Sequence, residues 1–105
     1  MKRLVAVVLG IALCACSSAN EKAASAVTAR LHAKLVAEAN AHPPPDRSLE
    51  SMARLVATVN EKASLAEFRT VCPGKVAFSL SALPGKVAIN TTCDGASARA
   101  EWEPA

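Results

Sequence analysis

The chain has 105 residues, 51% of them hydrophobic, and carries twelve Lys+Arg against nine Asp+Glu for a formal net charge of +3. That length holds one small domain and excludes multidomain enzymes, large barrels and dinucleotide folds. Aromatic residues make up 3% and tyrosine is missing, which excludes an aromatic platform for stacking nucleic-acid bases.

Met1, Lys2 and Arg3 give a basic start to the apolar run Leu4–Leu13. Ten helical residues rise about 15 Å, roughly half the hydrocarbon core of a bilayer. The run is therefore too short to span and suits the apolar region of a secretory signal. It ends Leu13-Cys14-Ala15-Cys16, followed by Ser17-Ser18. This ending resembles the lipobox of bacterial lipoproteins, and the resemblance covers residues 1–16 alone. It implies removal of residues 1–15 and lipidation of Cys16, with Leu13 three residues before the cut and Ala15 directly before it. Cys14 departs from the pattern, since a small or hydroxyl residue is more usual in that slot. An ordinary secretory signal cut after Ser17 or Ala19 is the alternative. The resemblance further implies a cell-envelope location, with the membrane as a partner through N-terminal acyl chains such as palmitate. Ser17 after the lipidated cysteine implies outer-membrane sorting, facing the periplasm, in a Gram-negative cell. Each acyl CH₂ buried adds about 0.8 kcal/mol to anchoring.

Residues 16–105 form a single small α+β domain on this reading. Without Lys2 and Arg3 there are ten Lys+Arg against nine Asp+Glu, a net charge of +1. So slight a surplus gives no support for nucleic-acid binding. With Cys16 acylated, Cys72 and Cys93 remain as a pair, and an oxidising compartment favours a disulfide between them. Closing a loop of about 22 residues contributes roughly 3.4 kcal/mol on the chain-entropy model. Two cysteines without paired histidines lack metal-ligand spacing, and no Cys-x-x-Cys occurs.

A first helix is expected over about 18–41. Ser18 and Glu21 read as a capping box; Val27, Leu31 and Leu35 line one face, and Arg30, Lys34 and Glu38 another. Pro43-Pro44-Pro45 ends it and makes 42–47 a stiff spacer. A second helix is expected over about 48–66, with Leu49, Met52, Val56, Val59, Ala63 and Ala66 as its apolar stripe and Glu50–Arg54 as an i, i+4 ion pair. Ser64–Glu67 is a second possible capping box, so this helix either breaks near Ala63 or runs through.

Beyond Arg69 the period changes to two, giving strands over about 75–82, 86–93 and 96–103. Asp94-Gly95 is a strong hairpin turn, while Pro73-Gly74 and Pro84-Gly85 suit type II turns. A short loop at Leu83–Lys86 sets Ala82 opposite Val87 and Val76 opposite Cys93, with Cys72 swung back to close the open end of the hairpin. The expected architecture is two N-terminal helices packed on one face of a three-stranded antiparallel β-meander. PGKVA occurs twice, at Pro73–Ala77 and Pro84–Ala88, either as a duplicated loop presenting Lys75 and Lys86 or as two similar turn-and-strand starts.

No catalytic constellation assembles. His32 is expected as a partly covered surface residue and His42 as a helix-end residue against the last carbonyls, and no phosphate loop, EF-hand or zinc-helix motif occurs. The expectation is a non-enzymatic protein without cofactor or metal, binding or supporting another envelope protein. The alternative is an inhibitor or immunity-type protein that occludes a secreted enzyme or toxin with the tip Leu83–Lys86. Trp102 reads either as a core plug near Val87 or, with Lys86, as part of a partner interface.

Overall fold

A computed structural model describes the backbone of residues 2–104 and the side chains of residues 19–104. The first helix, α1 (Lys2–Ala41), runs unbroken from the expected leader into the domain, so no helix start occurs at Ser18. Gly10 is its one glycine and it holds no proline, so nothing interrupts the backbone ladder before Pro43. Ala24, Val27, Leu31 and Leu35 are wholly buried, a stripe at helical spacing that faces the sheet.

The second helix, α2 (Leu49–Lys62), begins at an N-cap, where the Ser48 hydroxyl accepts a hydrogen bond from the Ser51 amide at 3.2 Å. Its buried side is Met52, Leu55, Val56 and Val59. The stripe differs from expectation at both ends. Leu49 is 51% exposed because it lies in the first turn, beyond the layer below, and Leu55 takes a core position instead. The helix ends at Lys62, because Ala63 takes extended dihedrals (φ −83°, ψ 135°). A short α3 (Leu65–Phe68) follows, capped by the Ser64 hydroxyl on the Ala66 amide. Glu67 does not complete the second capping box; its carboxylate reaches Lys34 of α1 at 3.0 Å.

Three strands, β1 (Val76–Leu83), β2 (Lys86–Cys93) and β3 (Ala96–Trp102), form an antiparallel sheet in the order β1-β2-β3. The β1–β2 register is the expected one, with Val76 opposite Cys93 and Ala82 opposite Val87; across the β2–β3 ladder Val87 pairs with Trp102. Both helices cover one face, α1 over β2 and β3 and α2 over β1. Val87, Ile89, Thr91 and Cys93 of the central strand are buried beneath them. Ala98 and Ala100 leave room for α1 to lie low over β3, and the Thr28 and Thr91 hydroxyls, 2.7 Å apart, share the Ala24 carbonyl under it. Two buried hydroxyls that satisfy one another in this way fix the helix along the sheet without an orphaned polar group. Thr28 follows Val27 inside an alanine-rich helix, and apolar periodicity alone does not pick it out as a core residue.

Each turn has its own cause. Asp94 (φ 48°) and Gly95 (φ 87°) both take positive φ, as a two-residue type I′ hairpin needs, and Gly85 (φ 81°) follows Pro84 as the glycine of a type II turn. Gly74 has no positive φ, so the expected type II turn at Pro73-Gly74 is absent. A Cβ at Gly74 would run into the Asp94 carboxylate, and that close approach is what glycine serves there.

Candidate functional site

Cys72 and Cys93 form a disulfide with Cα atoms 6.0 Å apart, both buried, closing the open end of the β1–β2 hairpin. Phe68 of α3 packs edge-on against Phe78 of β1, with ring centroids 5.4 Å apart. Beside the disulfide, the Asp94 carboxylate accepts a hydrogen bond from the Lys75 amide at 2.8 Å, and the Asp94 amide donates to the Lys75 carbonyl at 2.9 Å. A groove of about 690 Å³ opens here, lined by Arg69, Pro73, Gly74, Lys75, Val76, Ala77, Thr92 and Gly95.

The opposite end is built differently. Trp102 is only 8% exposed and pairs across the sheet with Val87, which is the core-plug arrangement of its two readings. It also lines a groove of about 600 Å³ together with Val36 and Asn40 of α1, Pro43–Pro45, Arg47 and Pro104. The Asp46 carboxylate organises the proline-rich loop by accepting from the Ser48 amide at 3.0 Å and the Ser51 hydroxyl at 2.6 Å. Hydrogen bonding from Ser48 and then Ser51 holds that carboxyl down at about 2. The loop in turn accepts the hairpin tip, since the Gly85 amide donates to the Arg47 carbonyl at 2.8 Å.

The direction of α1 relates the two ends. Its Ala24–Thr28 turn meets Thr91, two residues before the disulfide's Cys93 on β2, whereas Val36 and Asn40 reach the Trp102 groove. The chain from residue 16 thus enters at the disulfide end and leads away toward the proline-rich loop. The side chain of Cys16 lies outside the described residues.

Charged residues mostly neutralise one another. Glu38 takes Lys62 at 2.7 Å and His42 at 3.6 Å, and the Lys62 hydrogen bond comes first in holding its carboxyl below the ordinary range. His42 therefore meets a carboxylate rather than the terminal carbonyls expected for it, because Glu38 lies one turn back on its own helix face. Arg30 donates to the Glu67 carbonyl and the Thr70 hydroxyl, so the Arg30–Lys34–Glu38 face is the seam against α2 and α3. Periodicity marks that face as polar but does not say what lies across it. Lys86 pairs with Glu101 at 3.0 Å and holds that carboxyl below its ordinary range. His32 is exposed rather than partly covered, because its position turns away from the buried stripe.

Among the described residues no three of His, Cys, Asp and Glu gather as a metal site would require, and no helix is long and apolar enough to cross a membrane. What the two ends offer chemically is grooves beside exposed backbone and cationic side chains. No protein-family model matches the chain, no curated protein is similar to it, and no solved structure matches its fold.

Proposed function

We propose that the protein is a lipid-anchored lipoprotein of the cell envelope whose folded domain binds or supports another envelope protein without catalysing a reaction. The observation that carries this reading is the direction of α1. The end of that helix leading back to Cys16 emerges beside the disulfide, and the proline-rich loop, hairpin tip and Trp102 groove stand at the far end. An acylated Cys16 would therefore leave that end facing away from the membrane. The Leu13-Cys14-Ala15-Cys16 ending supplies the anchor, and acyl chains buried in a leaflet make such anchoring stable. Outer-membrane sorting, implied by Ser17, would direct the domain into the periplasm of a Gram-negative cell.

Growth with labelled fatty acid tests the anchor: the wild-type chain is expected to carry label and Cys16→Ser to lose it. A labelled Cys16→Ser protein rejects the assignment. Affinity capture from solubilised envelope tests the role. A structural or transport protein is the expected partner, and recovery of a hydrolase or toxin replaces support with inhibition.

A further inference from the structure

We infer that the outer edge of β1 is a docking edge for an extended strand of the envelope partner, laid antiparallel to β1 and bearing a carboxylate at its C-terminal end. The inference deepens the binding role proposed above and rests on it. β1 stands at the edge of the sheet, and among the described residues no backbone hydrogen bond outside its ladder with β2 reaches residues 76–83. Such a row of unpaired N–H and C=O groups templates strand addition unless charge, proline or a bulge blunts it. The eight residues of β1, VAFSLSAL, hold no charge and no proline. The other edge differs, since β3 carries Arg99 and Glu101.

The side chains agree with the backbone. On the covered face Val76, Phe78 and Leu80 stay half-buried, while Val87 and Ile89 next to them are wholly buried. One further strand would cover the remainder, and its alternate side chains would meet this row. Charge sets the direction. Arg69 and Lys75, at the Val76 end, form no ion pair among the described residues, whereas Lys86, at the Leu83 end, is neutralised by Glu101. A strand antiparallel to β1 finishes at the end that holds Arg69 and Lys75. The one carboxylate beside them, Asp94, is engaged by the Lys75 amide, so the two cations leave a positive surplus for a terminal carboxylate or a final acidic residue.

The test titrates the ¹⁵N-labelled full chain in detergent micelles with a peptide of one lysine, three threonine–valine pairs and a C-terminal aspartate. Saturable amide shifts are expected over Val76–Leu83 and at Arg69 and Lys75, with slowed amide exchange along β1. Exchanging the aspartate for asparagine and amidating the C-terminus is expected to weaken binding about tenfold, as is the double variant Arg69→Gln, Lys75→Gln. Absence of saturable shifts at millimolar peptide overturns the proposal, as do shifts centred on Trp102. Protection of β1 that rises with protein concentration without peptide overturns it in favour of a second copy of this chain. Fatty-acid labelling is scored separately: its loss removes the anchored reading and leaves the titration to decide the edge, whereas a failed titration with labelling intact removes the edge alone.

Discussion

Pro73–Ala77 and Pro84–Ala88 share the five residues PGKVA and do not share a conformation. In the first, Gly74 serves by lacking a Cβ, because the Asp94 carboxylate occupies the space in order to reach the Lys75 amide. In the second, Gly85 has open space around it and serves by its φ of 81°, with its amide bonded to the Arg47 carbonyl. Their lysines part as well: Lys75 borders an open groove, and Lys86 is engaged by Glu101. The two stretches are therefore not two copies of one binding loop. Each takes its shape from a partner remote in sequence, and the same glycine satisfies unrelated demands.

The largest expected effect comes from releasing the end that holds the first stretch. The double variant Cys72→Ala, Cys93→Ala is expected to lose roughly 3 kcal/mol of stability. For a domain of this size that lowers Tm by about 12–25 °C in a calorimetric scan. Amides around Lys75 are expected to lose protection before that of Gly85, which remains bonded to Arg47; simultaneous loss would show that the two ends are not independent.

The glycines themselves come next. Gly74→Ala displaces the Asp94 carboxylate and its hydrogen bond to Lys75, at a cost of about 2 kcal/mol. The same substitution in an Asp94→Ala background is expected to cost less than about 0.5 kcal/mol, because the obstruction has gone. Gly85→Ala is expected to cost about 1 kcal/mol through its positive φ alone. Asp94→Ala leaves that cost unchanged, and Gly85→Asn recovers part of it, since asparagine tolerates the left-handed region. Urea denaturation of the six variants closes both cycles. Equal coupling to Asp94 at the two glycines would erase the distinction between them.

The same contrast separates what the sequence discloses from what it withholds. The three strands, their register and the disulfide are readable because alternation and turn residues act over a few positions, and a one-residue slip would turn the apolar face of Val87, Ile89 and Cys93 outward. Asp94-Gly95 is readable for the same reason. Pro73-Gly74 is not, because its geometry is set by the Asp94 carboxylate, nineteen residues beyond the Lys75 amide that it accepts from. Helical spacing similarly assigns Leu49 to the core, since it counts turns but does not locate the edge of the layer beneath. Of the surfaces, Trp102 and Lys86 stood out by residue type. The expected meander order already places β1 at an edge, whereas the Arg69–Lys75 groove depends on which cations find carboxylates, which is not a local property of the chain.

The smallest expected effect concerns the hold on the second stretch. Asp46 accepts from Ser48 and Ser51, and its carboxyl is held at about 2 against an ordinary 3.8. A carboxylate depressed in the folded state adds stability that is complete above its unfolded value and is lost as pH falls through the folded one. The window here therefore runs from about pH 4 down to about pH 2. The Arg47 carbonyl follows Asp46 directly, so the Gly85 amide reports the state of that loop. Its protection factor, corrected for intrinsic exchange, is expected to fall about threefold across the window, a small change because the carboxyl is exposed. The step is expected to vanish in Asp46→Asn and to persist in Asp94→Ala. Its disappearance in Asp94→Ala would mean that the disulfide end governs both stretches, against the independence that their two glycines imply.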